Sequence, residues 1–166
     1  RWPRWPRRMC CARSSGATLR GWIEDVTVLR RSESQLRFAA RHDPLTGMLN
    51  RRALQHGLAD AIARSGERPS TLVFIDLDGF KQINDVFGHA AGDSVLRQFS
   101  TRLATCLEAN QFAARIGGDE FVVVLIGRTS DQTGAWVQAL HQLVRARPFT
   151  HFEHEFALSF SAGSVR

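Results

Sequence analysis

The sequence predicts an α+β sandwich built around a central mixed β-sheet. Three observations carry this. Thr71-Leu72-Val73-Phe74-Ile75 is a nearly unbroken apolar run with β-branched members, the pattern of a strand buried on both faces. Phe112-Ala113-Ala114 and the run Phe121 to Ile126 flank a Gly117-Gly118 pair, the pattern of a β-hairpin with Asp119 and Glu120 at or beside its tip. Helical periodicities fill the intervals. The order reads helix, strand, helix, strand, strand, helix, strand, with the helices expected on one face of the sheet.

In chain order, Arg1-Trp2-Pro3 repeats as Arg4-Trp5-Pro6 without any helical period, so residues 1–20 are expected to be a disordered basic tail or to lie outside the natural frame. Gly21 to Thr27 reads as a strand followed by a break. Residues 28–42 read as a helix, with Leu29 and Leu36 seven apart. Pro44 and Gly47 mark a turn, and Asn50 can cap a helix with one face marked by Leu54, Leu58, Ala61 and Ile62. Ser65-Gly66 and Pro69 end it. After the strand at 71–75 a loop is expected to carry Asp76, Lys81 and Asn84. A helix beginning near Gly92 buries Val95, Leu96, Phe99, Leu103 and Leu107. The hairpin follows, then a helix marked by Trp136, Leu140 and Val144, then a last strand from Phe156 to Ser161.

The net charge of +6 misleads. Residues 1–20 hold six Arg and no acid, leaving 16 basic and 16 acidic side chains in the rest of the chain. No nucleic-acid-binding face is implied. The longest apolar run, Phe121 to Ile126, is far too short to span a bilayer. The three Cys form no Cys-x-x-Cys pair and suggest neither a disulfide framework nor a zinc knuckle, so a reducing, cytoplasmic home is expected.

Asp76 stands at the end of the buried strand, where ligands bind at a sheet edge. Strands of the hairpin lying beside it would bring Asp119 and Glu120 close, making a cluster of three or four carboxylates. Hard oxygen ligands of this kind suit Mg²⁺ or Mn²⁺, which also hold substrate phosphates. Lys81, the single lysine, is a compact charge able to contact a phosphate. Asn84 and Asp93 offer complementary polar edges able to read a guanine, a contact worth about 1–3 kcal/mol of discrimination. No Gly-x-x-x-x-Gly-Lys-Ser/Thr loop and no Gly-x-Ser-x-Gly elbow is present. His151 and His154 are read as a hairpin or loop pair, His42 and His89 as packing in their loops, and Asp78 and Asp85 as capping or solvated residues.

Four ordered motifs carry a resemblance. They are Asp43-Pro44-Leu45-Thr46-Gly47 through Asn50-Arg51, Phe74-Ile75-Asp76-Leu77-Asp78-Gly79-Phe80-Lys81-Gln82-Ile83-Asn84-Asp85, Phe87-Gly88-His89 through Gly92-Asp93, and Arg115-Ile116-Gly117-Gly118-Asp119-Glu120-Phe121. From about residue 40 onward the chain resembles the GGDEF domain, the diguanylate cyclase family. The resemblance implies a fold similar to the palm of polymerases and of adenylyl cyclases. It implies condensation of two GTP into cyclic di-GMP with release of pyrophosphate, by a homodimer, with two Mg²⁺ or Mn²⁺ ions per active site. Asp76, Asp119, Glu120 and the Leu77 carbonyl would be the metal ligands. Glu120 would also help deprotonate the 3′-hydroxyl, and Lys81 would stabilise the transition state. Asn84 and Asp93 would read guanine, Gly117 and Gly118 would let the α-phosphate approach the backbone, and His89 joins the substrate-binding set.

Three departures bear on this. The family's inhibitory Arg-x-x-Asp is replaced by Glu108 and Gln111, so inhibitory product binding is not expected. The family continues into a further helix whose basic residues hold the GTP phosphates, so residues 43–166 are expected to be a GGDEF domain lacking its C-terminal part. Residues 21–42 are similar to the end of a PAS sensor domain and its linker helix. A longer natural protein is expected, with an upstream PAS sensor, a phosphodiesterase domain downstream as a further option, and membrane tethering compatible with the cytoplasmic placement. The alternative reading is a non-catalytic GTP-binding module controlling an attached output domain, and a receptor for cyclic di-GMP is disfavoured by Glu108 and Gln111.

Overall fold

The computed structural model describes residues 8–14, 17–23, 36, 38–63 and 70–166. The chain divides into two compact units between Phe38 and Ala39. In the first unit β1 (Arg8–Ser14) pairs antiparallel with β2 (Ala17–Ile23), in register from Arg8 opposite Ile23 to Ser14 opposite Ala17. Part of the expected disordered tail is therefore strand, joined by its backbone ladder to the strand read at Gly21. The sequence criterion used there, a missing helical period, excludes helix but not extended backbone. Most of the expected linker helix, including Leu29, lies outside the described residues. Leu36 and residues 38–41 are helical.

The second unit is an α+β sandwich on a mixed five-stranded sheet. Its strands are β3 (Leu49–Asn50), β4 (Ser70–Asp78), β5 (Phe112–Gly117), β6 (Glu120–Ile126) and β9 (Ser159–Val165), in spatial order β3-β5-β6-β4-β9. Only β3 and β5 run parallel; the other neighbours are antiparallel. Asn50 closes β3 and caps α1 (Arg51–Ala63), its Oδ1 accepting from the Ala53 amide at 2.9 Å.

Helices lie on both faces, not on one. Val73, Ile75, Leu77, Phe121, Val123 and Leu125 point into the main core, formed with α2 (Phe80–Phe87), α3 (His89–Thr105) and α4 (Ser130–Arg145). On the opposite face Leu54 of α1 buries Ala114, Val122 and Val124. The apolar run of β6 is buried on both sides for this reason. Strand β4 is not. Its buried residues alternate with exposed ones, and Phe74 is 48% exposed. The run of apolar letters that suggested two buried faces belongs to a strand one position beyond the cover of α1.

Four further elements differ from the expectation. Strand β4 extends to Asp78 because β9 pairs with it to its end, Asp78 lying opposite Ser159. Asp76 is thus a strand residue, not the first residue of a loop. Lys81 and Asn84 stand on helix α2, whose ends are set by Gly79 (φ 73°) and Gly88 (φ 82°), left-handed positions that glycine occupies without steric cost. Helix α3 begins at His89, a turn earlier than expected. The expected strand from Phe156 to Ser161 divides into β9 and the small hairpin of β7 (Phe149–His151) and β8 (His154–Phe156), where His151 faces His154. No helix among the described residues is long and apolar enough to cross a membrane.

Candidate active site

The β5–β6 hairpin forms as the sequence implies. Gly118 has φ 43°, and the ladder resumes with Gly117 opposite Glu120. A side chain at Gly118 would meet nothing within 4 Å, and one at Gly117 would meet the Glu120 carboxylate only at 3.8 Å. The backbone of the turn therefore lies open to an approaching group.

Antiparallel pairing of β4 with β6 places Asp76 directly opposite Glu120. Partial burial and the nearby charges of Asp119, Glu120 and Asp78 push the Asp76 carboxyl above its ordinary range. The structure thus brings Asp76, Asp119 and Glu120 into mutual repulsion at one edge of the sheet. Beside them lies an open cleft of about 260 Å³, with Phe74, Asp76, Ile116, Glu120, Ser161 and Gly163 in its walls.

Asp78 behaves differently. It accepts hydrogen bonds from Ser159 Oγ at 2.7 Å and Ser161 Oγ at 2.8 Å, and these hold its pKa below the ordinary value. The two serines were not anticipated. No local spacing links them to Asp78, since their positions follow from the register of β9.

The hairpin is held by Arg115 and Asp43, each of which lies in one of the four motifs. Arg115 Nε donates to the Gly118 carbonyl at 2.9 Å, and its Nη1 reaches Asp43 Oδ1 at 3.1 Å. Asp43 also accepts from the Thr46 amide at 2.9 Å and the Thr46 hydroxyl at 2.7 Å. Burial pushes the Asp43 carboxyl up, but the bonds from Thr46 and Arg115 outweigh it and leave the group below its ordinary value.

Lys81 and His89 are exposed in the first turns of α2 and α3. Asn84 is half-buried on α2, its amide set against the backbone of Gly92, the residue before Asp93. Asp93, the next residue on α3, forms an ion pair with Arg97 at 3.8 Å, one turn further along the helix. Glu108, at the position of the family's inhibitory arginine, is engaged by Arg128 at 2.6 Å, and Gln111 is buried. His42 Nδ1 lies 2.8 Å from the Gly47 carbonyl, a contact within its own turn.

The donor chemistry suits a hard divalent cation, and the repulsion around Asp76 is of the kind a cation relieves. Among the described residues no three His, Cys, Asp or Glu side chains converge closely enough to enclose an ion by themselves.

The α+β sandwich thus carries adjacent acids on a glycine hairpin, one of them opposite an aspartate of the neighbouring strand β4. The family described as "Diguanylate cyclase, GGDEF domain" matches residues 40–166, and the chain belongs to that family. It is similar to the diguanylate cyclase DgcN of Escherichia coli, 39% identical over 137 residues, covering 81% of this chain and 34% of DgcN. It is also similar to the cyclic di-GMP phosphodiesterase PdeR of E. coli, 40% identical over 126 residues, covering 75% of this chain and 19% of PdeR. The chain therefore spans about a third or less of these relatives. Among solved structures it resembles the coiled coil and GGDEF domain of DgcB from Caulobacter crescentus in complex with c-di-GMP, at 28% identity and TM-score 0.76, covering 84% of this chain and 76% of that one.

Proposed function

We propose that residues 43–166 are the catalytic module of a diguanylate cyclase, condensing two GTP into cyclic di-GMP in second-messenger signalling. The observation that carries this is the Asp76–Glu120 pairing beside Asp119, acids whose mutual repulsion calls for a cation. Membership of the family and the likeness to DgcN support the same reading.

In the proposed reaction the 3′-oxygen of one GTP bonds to the α-phosphorus of the other, the bond to pyrophosphate breaks, and the 3′-hydroxyl proton passes toward Glu120. Two divalent cations held by Asp76, Asp119, Glu120 and the Leu77 carbonyl would supply charge neutralisation at the phosphates. Gly117 and Gly118 leave room for the α-phosphate at the backbone. Lys81 carries a positive charge toward the phosphates, with His89 at the substrate. Asn84 and Asp93 read guanine, the Asp accepting and the Asn both giving and taking. The cleft by Asp76 is smaller than the roughly 300–1,000 Å³ of enclosing ligand sites, which fits a half-site completed by a second copy. The assembly we infer is a cytoplasmic homodimer under the control of an upstream PAS sensor. Glu108, an acid paired with Arg128, stands at the position of the family's inhibitory arginine, so product is not expected to bind there.

The likeness to PdeR favours a second reading, a GTP-binding module that regulates an attached domain without turnover. The test is cyclic di-GMP formation from GTP by the full protein and its Asp119→Ala variant. Turnover that falls about a hundredfold or more supports the cyclase. Turnover unchanged in the variant overturns the metal assignment, and GTP binding without product in the wild type selects the second reading.

A further inference from the structure

Gly92 occupies a place in the fold that helix propensity does not explain. It is the fourth residue of α3, a helix of 17 residues, and it follows Ala90 and Ala91. Alanine is the best helix former and glycine the worst apart from proline. The backbone at Gly92 does not have the positive φ that would favour glycine; Gly47, Gly79, Gly88, Gly118 and Gly127 do. Nor is the position open to solvent, since Gly92 is buried.

The reason lies across the interface with α2. A Cβ built on Gly92 would overlap the Asn84 amide oxygen, stand 2.9 Å from Asn84 Cγ, and stand 3.0 Å from Phe80 Cζ. The Phe80 contact asks its ring to shift by a few tenths of an ångström. The Asn84 contact asks the whole amide to leave. Asn84 is a flexible side chain, so it can leave without unfolding either helix, and the cost would fall on whatever the amide does in place. The other groups of the turn are already committed. The Asn84 carbonyl accepts from the Gly88 amide at 2.9 Å, and the Gly92 amide donates to the Gly88 carbonyl at 3.4 Å.

We propose that Gly92 is a positioning residue for base recognition. Its missing side chain leaves the space in which the Asn84 amide stands, one residue along the chain from Asp93, so that the two can read one guanine edge together. The proposal rests on the assignment of Asn84 and Asp93 to the base. It adds that nucleotide specificity depends on a residue with no polar atom to offer a ligand except its backbone.

The test measures binding of 3′-deoxy-GTP and 3′-deoxy-ATP, which cannot condense, to the full protein by titration calorimetry. The variants are Gly92→Ala, Asn84→Ala and the double substitution. Gly92→Ala is expected to weaken 3′-deoxy-GTP binding about tenfold or more, erasing most of the preference over 3′-deoxy-ATP. In GTP turnover, KM should rise more than kcat falls. Melting temperature should change little. In the Asn84→Ala background the same glycine substitution should cost nothing further, because two residues acting through one contact are not additive.

Equal losses in both backgrounds would overturn the proposal, as would unchanged guanine preference in Gly92→Ala. If Gly92→Ala fails to fold, the double variant decides. Restored folding there supports the Asn84 contact, and failure there assigns Gly92 to packing against Phe80 alone. If Asn84→Ala keeps full guanine preference, the base assignment itself is wrong and the specificity proposal falls with it.

Discussion

Two aspartates, two residues apart on the same face of β4, have opposite fates. Asp76 meets the hairpin side of the strand, where Asp119 and Glu120 raise the cost of its charge. Asp78 meets the β9 side, where two serine hydroxyls reward its charge. The residue type is the same, and so are the strand and the outward direction. The partner strand decides whether a carboxylate is satisfied or left in conflict. A carboxylate left in conflict at a cleft is a functional candidate, whereas a satisfied one fixes structure. Here Asp78 ties β9 to β4, whereas Asp76 is the functional candidate.

The sharpest way to break this comparison is to make the same substitution at both sites. Asp76→Asn should reduce cyclic di-GMP formation about a hundredfold or more. In EDTA it should also raise the melting temperature. A carboxyl whose folded-state pKa is raised contributes stability that is lost as pH rises through that value, so the gain should be absent well below pH 3.8 and present above the raised pKa. Asp78→Asn should do the reverse, lowering the melting temperature and costing turnover much less. If both variants shift stability in the same direction, the contrast between the two sides of β4 is wrong.

A smaller effect is expected from loosening the hairpin side. Arg115→Ala removes the bond to Gly118 and the ion pair to Asp43, whose side chains are 15% and 18% exposed. The expected loss is about 2 kcal/mol, seen as a melting temperature lower by several degrees. Asp43 has a depressed folded-state pKa, so its contribution is present above pH 3.8 and disappears as pH falls through the folded value. The gap between wild type and Arg115→Ala should narrow at acid pH to the part owed to the Gly118 bond, which does not titrate. A gap of unchanged size there would show that the pairing with Asp43 contributes nothing.

The smallest effect is at the β9 side. Ser159→Ala should cost about 1 kcal/mol and return the Asp78 pKa toward its ordinary value, read by carbon-13 titration of the carboxylates. Ser161→Ala should act likewise. Neither should move the titration of Asp76 upward.

By itself the sequence determined the pieces whose cause is local. The Gly117-Gly118 turn, the Asn50 cap and the apolar stripes of α1, α3 and α4 are set by conformational cost and periodicity within a few residues. The identities of Asp76, Lys81, Asn84, Asp93, Asp119 and Glu120 were legible through the four motifs. The short helix α2 was less so, because eight residues between two glycines resemble a polar loop. Tertiary structure alone decided what depends on register and on approach between distant segments. The pairing of β4 with β6 set Asp76 against Glu120, and the pairing with β9 gave Asp78 its serines. The 72 residues between Asp43 and Arg115 hid their ion pair. The closeness of α2 to α3 gave Gly92 its meaning. A shift of one residue in any of these ladders would turn each side chain to the other face, and no spacing along the chain records that choice.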